Sequence, residues 1–149
     1  MYIKSCFAVM EVGISFREKI AWVALGGIAL AGALYFGNLA THDAPHSYFI
    51  GLFVAVMVAQ AVITTVATIG VAALAPADAR APRDERDRMI GRLAAGQTYY
   101  PLLIGVMLSA VTIHFGNSLF GMLNLLLAVI MLAEALRFVF QIIAYRRGG

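Results

Sequence analysis

Four long apolar stretches set the limits on what this chain can fold into. Ile20 to Ala40 carries no charge over 21 residues, and Tyr48 to Ala75 runs 28 with Gln60 and a few threonines as its polar groups. Gln97 to Phe115 gives 19 residues, and Leu119 to Tyr145 gives 27, interrupted by Glu134 and Arg137. A bilayer core about 30 Å thick needs roughly 20 residues of helix, so each stretch is long enough to cross it. A membrane β-barrel would instead alternate over segments of roughly ten residues. The chain therefore reads as one transmembrane domain over 1–149, with helices over 16–40, 48–75, 84–115 and 119–146 and a linker at 76–83. The expected fold is all-α, an antiparallel four-helix bundle in a lipid bilayer.

Composition supports the same class. Apolar residues make up 62% of the chain and charged residues 13%, against about 45–50% and 25% in soluble domains. That balance argues against a water-soluble globule and a disordered tail. Cys6 is the single cysteine, which leaves no intrachain disulfide and no redox-active pair. The first apolar stretch is too long for a cleaved signal peptide, and the acids Glu11 and Glu18 precede it. Ser15 and Glu18 have capping-box spacing, so the first helix is expected to begin there. Residues 1–9 carry no motif, and both Met1 and Met10 stand open as the start.

Charge distribution sets the orientation. Lys4, Arg17 and Lys19 precede the first helix, Arg80, Arg83, Arg86, Arg88 and Arg92 fall between the second and third, and Arg146 and Arg147 end the chain. Ten of the 11 basic residues thus lie on one side, and the opposite loops, Thr41 to Ser47 and Gly116 to Ser118, hold none. The positive-inside rule predicts that both termini and the middle loop are cytoplasmic. Within that loop, Ala75 to Pro82 reads as an Ala/Pro linker, and Arg83, Asp84, Glu85, Arg86, Asp87, Arg88 and Arg92 as the charged start of a helix. Acids lead and arginines follow, with Asp84 and Arg88 at i,i+4 spacing. Such a segment acts either as a solvated topology anchor or as a docking surface for a cytoplasmic partner or anionic headgroups.

The halves of the chain show a repeat. Tyr35-Phe36-Gly37-Asn38 matches His114-Phe115-Gly116-Asn117 at an offset of 79, and Met57 to Val62 matches Met131 to Leu136 at 74. Both hairpins would start on the same side, which is the pattern of a parallel repeat about the membrane normal.

Glu134 and Arg137 are the intramembrane charges. Glu134 lies about 18 Å of helix from Arg146, near the bilayer midplane. Charges at that depth are expected to pair and to face the protein interior, and i,i+3 spacing lets these two touch. Gln141 shares their face. On the second helix Gln60, Thr64 and Thr68 form a stripe at i, i+4, i+8, and depth and repeat both set Gln60 opposite Glu134. The expectation is a polar seam between helices two and four. It would serve as register-setting helix contacts or as a relay for protons, ions or a polar substrate.

Three histidines and a carboxylate are expected near the face away from the basic side, His42, Asp43 and His46 in the first loop and His114 at the end of the third helix. These groups suit zinc or copper, but their spacing matches no zinc signature, so no metal site and no cofactor are expected. Small residues form rows at Ala29, Ala33 and Gly37, at Gly27 and Ala31, and at Gly105 and Ser109, which permit close helix approach within the chain or between copies. Trp22, Tyr48, Tyr99, Tyr100 and Tyr145 read as interface anchors. No P-loop, dinucleotide fingerprint or nucleophile elbow is present, and nothing points to direct nucleic-acid contact.

Phe16-Arg17-Glu18-Lys19-Ile20-Ala21-Trp22 resembles the opening FREK-x-AW of a group of small bacterial four-helix inner-membrane proteins. Asp84 to Ile90 is similar to their DERD-x-x-I segment, and Gln141 to Gly148 to their basic tail. The resemblance implies this fold and a bacterial inner-membrane location, and it implies no activity. Related DERD-bearing proteins often accompany small DNA-binding regulators, which favours a regulatory partner. The functional expectation is a non-enzymatic interaction or regulatory membrane protein, with homo-oligomer formation open. The alternative is a small proton- or ion-coupled transporter or channel-like oligomer using Glu134, Arg137 and Gln60.

Overall fold

A computed structural model describes residues 16–74, 76, 80 and 84–147. It contains α1 (Phe16–Thr41), α2 (His46–Leu74), α3 (Glu85–Val111) with a 3-10 turn at Thr112–Phe115, and α4 (Leu119–Arg147). No strand occurs among the described residues. All four helices are long and apolar enough to cross a membrane. The fold is the expected all-α four-helix bundle. The start at Met1 or Met10 and the Ser15 cap lie outside the described residues, as does most of the Ala/Pro linker.

The helices stand in the order α2, α1, α4, α3, because α1 packs on both α2 and α4, and α3 packs on α4. Small side chains allow this. On α3, Ile90, Ala94, Thr98 and Ser109 are buried along one narrow stripe. A Cβ at Gly105, on the same stripe, would run into Val129 of α4. Thr98 and Ser109 donate to the carbonyls of Ala94 and Gly105 at 2.8 and 2.7 Å. Their hydroxyls are thus satisfied within the helix, and van der Waals contact holds the interface.

Helix α1 presents two small faces. Gly27 lies against Gln60 and Thr64 of α2, and Gly32 against Met131 of α4. Ala31 beside them is 3% exposed. The third row, Ala29, Ala33 and Gly37, lies on the exposed side of α1. At the end away from the basic residues, the Tyr35 hydroxyl donates to Asn124 Oδ1 at 2.7 Å and ties α1 to α4.

The α3–α4 turn requires a left-handed residue, which Gly116 supplies at φ 84°. Asn117 N–H closes back on the Thr112 carbonyl, and the Ser118 hydroxyl caps α4 by accepting from Gly121 N–H. A parallel repeat would relate the α1–α2 hairpin to the α3–α4 hairpin. A two-fold relating them would match the α1–α4 interface with an equal one between α2 and α3. No comparable α2–α3 interface exists among the described residues.

Candidate functional site

Charge gathers at the end of the bundle where α1 and α3 begin and α4 ends. Asp84 caps α3, its carboxylate accepting from Glu85 N–H at 2.7 Å. The expected Asp84–Arg88 ion pair is absent for this reason: the short Asp side chain turns back to the helix terminus, where it meets unpaired N–H groups. Asp87, one turn later, faces inward. It receives Arg17 of α1 at 2.6 Å and the Tyr145 hydroxyl of α4 at 3.2 Å, so one carboxylate joins three helices. Glu18 is 6% exposed and accepts from Arg146 Nε at 3.0 Å and from Trp22 Nε1 at 3.4 Å. The Arg146 guanidinium also lies over the Trp22 ring.

Between these clamps a cleft of about 640 Å³ opens among α1, α3 and α4. Arg17, Arg88, Arg92 and Arg137 line it together with Asp87 and Gln141. Ile20, Ala95 and Phe138 supply its apolar wall. Arg88 and Arg92 are exposed and form no ion pair among the described residues. They stand on a ridge shared with a second hollow that includes Glu85, Met89 and Leu93. Arg86 is exposed outside both, and Arg83 lies outside the described residues.

Glu134 and Arg137 do meet, Arg137 Nη1 lying 3.2 Å from Glu134 Oε2. Their side chains remain 47% and 41% exposed. Arg137 also lies over the Phe138 ring. The polar seam expected between α2 and α4 is not formed. Gln60 and Thr64 turn to α1, where a Cβ on Gly27 would sit 3.0 Å from Thr64 Oγ1 and 3.7 Å from Gln60 Cγ. The physical reason is the small face of α1, which admits bulky polar side chains that a residue with a longer side chain would exclude. Thr68 satisfies itself by donating to the Thr64 carbonyl. Gln60 Oε1 and Thr64 Oγ1 are buried with no hydrogen-bond partner among the described residues.

The histidines at the end away from the basic residues are not gathered into a group of three. His46 stacks on Phe120 with ring centroids 4.1 Å apart, and His42 Nδ1 bonds Thr41 Oγ1. Among the described residues no three His, Cys, Asp or Glu side chains are placed to hold a metal, and Asp43 and His114 are no exception.

By sequence, Trp22 and Tyr145 read as interface anchors and Glu18 as part of a helix cap. The structure adds Arg17 to the cleft and makes Glu18 and Tyr145 tertiary contacts. One signal was available. Arg17, Glu18 and Trp22 belong to the first motif, Asp87 to the second, and Tyr145 and Arg146 to the third, so the three motifs converge at one end. No family model, curated protein or solved structure matches the chain.

Proposed function

We propose that this chain is a non-enzymatic, multi-pass protein of a bacterial inner membrane that works by interaction, in a regulatory role. In this reading its charged end lies in the cytoplasm, which the one-sided basic residues support under the positive-inside rule. The observation that carries the reading is the unequal use of charge at that end. Asp84 is engaged by a helix terminus, Glu18 and Asp87 by Arg146 and Arg17, and, at greater depth, Glu134 by Arg137, while Glu85 stays exposed in the hollow beside Arg88 and Arg92. Arg88 and Arg92 are left as exposed guanidiniums one turn apart on α3, suited to a carboxylate- or phosphate-bearing partner. The transport alternative draws on the Glu134–Arg137 pair, but it has lost Gln60, which stands at the α1–α2 interface instead.

Co-purification in mild detergent tests this. The wild-type chain should retain a cytoplasmic partner that the Arg88→Ala/Arg92→Ala chain releases. A partner set identical for both chains would overturn the reading.

A further inference from the structure

The arginine-lined cleft has the polarity of an amphiphile. From Tyr145 to Arg137 the α4 wall climbs eight residues, about 12 Å of helix rise, from the charged end towards the bilayer interior. Two of its four arginines are neutralised, Arg17 by Asp87 at the rim and Arg137 by Glu134 at depth. The remaining two, Arg88 and Arg92, sit one turn apart on α3 and give the rim a net positive charge. Deeper in, Ala95 and Phe138 provide hydrocarbon beside the neutral Arg137–Glu134 pair, and Ile20 adds apolar surface nearer the rim. A freely soluble anion would use the arginines and leave that apolar wall without a function. A lipid uses both.

We propose that this cleft binds an anionic glycerophospholipid, with its phosphate between Arg88 and Arg92 and its glycerol and upper acyl carbons beside Ile20, Ala95 and Phe138. Basic recesses between transmembrane helices at the cytoplasmic surface suit such headgroups. Guanidinium donors match phosphate oxygens in pairs. The unpaired positive charge selects against a zwitterionic headgroup, whose ammonium it repels. The inference rests on the anion-receiving reading of this end and names the ligand.

Native mass spectrometry of the delipidated full chain tests it, with phosphatidylglycerol, phosphatidylcholine and inorganic phosphate titrated in parallel. Phosphatidylglycerol should bind at about tenfold lower concentration than phosphatidylcholine, because both present a phosphate to the guanidiniums but only phosphatidylcholine adds an ammonium that they repel. Inorganic phosphate at equal concentration should not displace it. Arg88→Ala/Arg92→Ala should abolish the preference, whereas Arg86→Ala, outside the cleft on the same helix, should keep it. Equal binding of the two lipids overturns the proposal, and so does displacement by inorganic phosphate, which would assign the cleft to a free anion. The headgroup comparison on the wild-type chain decides the matter even if the double variant fails to fold. A protein partner lost from Arg88→Ala/Arg92→Ala without any lipid preference would overturn the lipid and leave the interaction reading standing.

Discussion

Asp87 Oδ2 lies 2.6 Å from Arg17 Nε, joining the start of α3 to the start of α1. The two side chains are 21% and 24% exposed, and the Tyr145 hydroxyl of α4 donates to the same carboxylate. Nothing links these helices by short loops at this end, so the contact sets how α1, α3 and α4 converge around the cleft.

Asp87→Ala should lower stability in detergent by about 1–2 kcal/mol, because it leaves Arg17 and the Tyr145 hydroxyl without this acceptor. Arg17→Asp alone should be at least as damaging, since it sets two carboxylates together. Combining Arg17→Asp with Asp87→Arg should recover part of the loss. Thermal unfolding of the wild type, Asp87→Ala, Arg17→Asp, Asp87→Arg and the double variant checks this. Additive losses in the double variant would show that the pair does not act as a unit.

The Glu134–Arg137 pair should behave as a unit as well. Glu134→Leu leaves an unpaired guanidinium at membrane depth and should cost about 2–3 kcal/mol, and Arg137→Leu should be similar. Glu134→Leu/Arg137→Leu removes both charges and should be at least as stable as the wild type. A double variant less stable than either single one would mean that the charges hold contacts beyond each other.

Gln60→Leu should be neutral or stabilising by up to about 1 kcal/mol. It removes a buried acceptor that has no donor among the described residues and keeps a similar volume against Gly27. A loss above about 2 kcal/mol would mean that the amide has a partner in the folded membrane protein, and would revive the polar seam.

Orientation can be read in intact cells. With Cys6→Ser as background, Asp43→Cys should react with a membrane-impermeant maleimide added outside, and Arg86→Cys should react only after the membrane is opened. The reverse pattern would place the charged end, and with it the cleft, on the outer side.

Much of the fold was legible because the period and length of apolar residues report directly on membrane crossing. The helices α1 and α4 follow the expected bounds within one residue at each end. Helix α2 starts two residues early, because Pro45 and His46 can begin a helix before the apolar stretch does. The site was legible only in pieces. Helical spacing paired Glu134 with Arg137, since partners three residues apart share a face whatever the neighbouring helices do. Spacing also put Gln60, Thr64 and Thr68 on one stripe, and Gln60 and Thr64 do line one interface. Which helix receives the stripe is a long-range question, and depth matching alone could not tell α1 from α4, because both pass the same level of the membrane.

The amino-acid sequence by itself determined the class, the four crossings, the one-sided charge and the local ion pair, all properties of composition and of contacts within a few residues. Only the tertiary structure decided that α1 stands between α2 and α4, that Asp87 and Glu18 turn inward to Arg17 and Arg146, and that Arg88 and Arg92 form no ion pair among the described residues beside an apolar wall. The reason is that in a bilayer every apolar helix face is equally content against lipid. Helix neighbours are then selected by the fit of small residues such as Gly27 and Gly105 to specific side chains on another helix. That fit joins residues far apart in the chain, and no spacing rule expresses it.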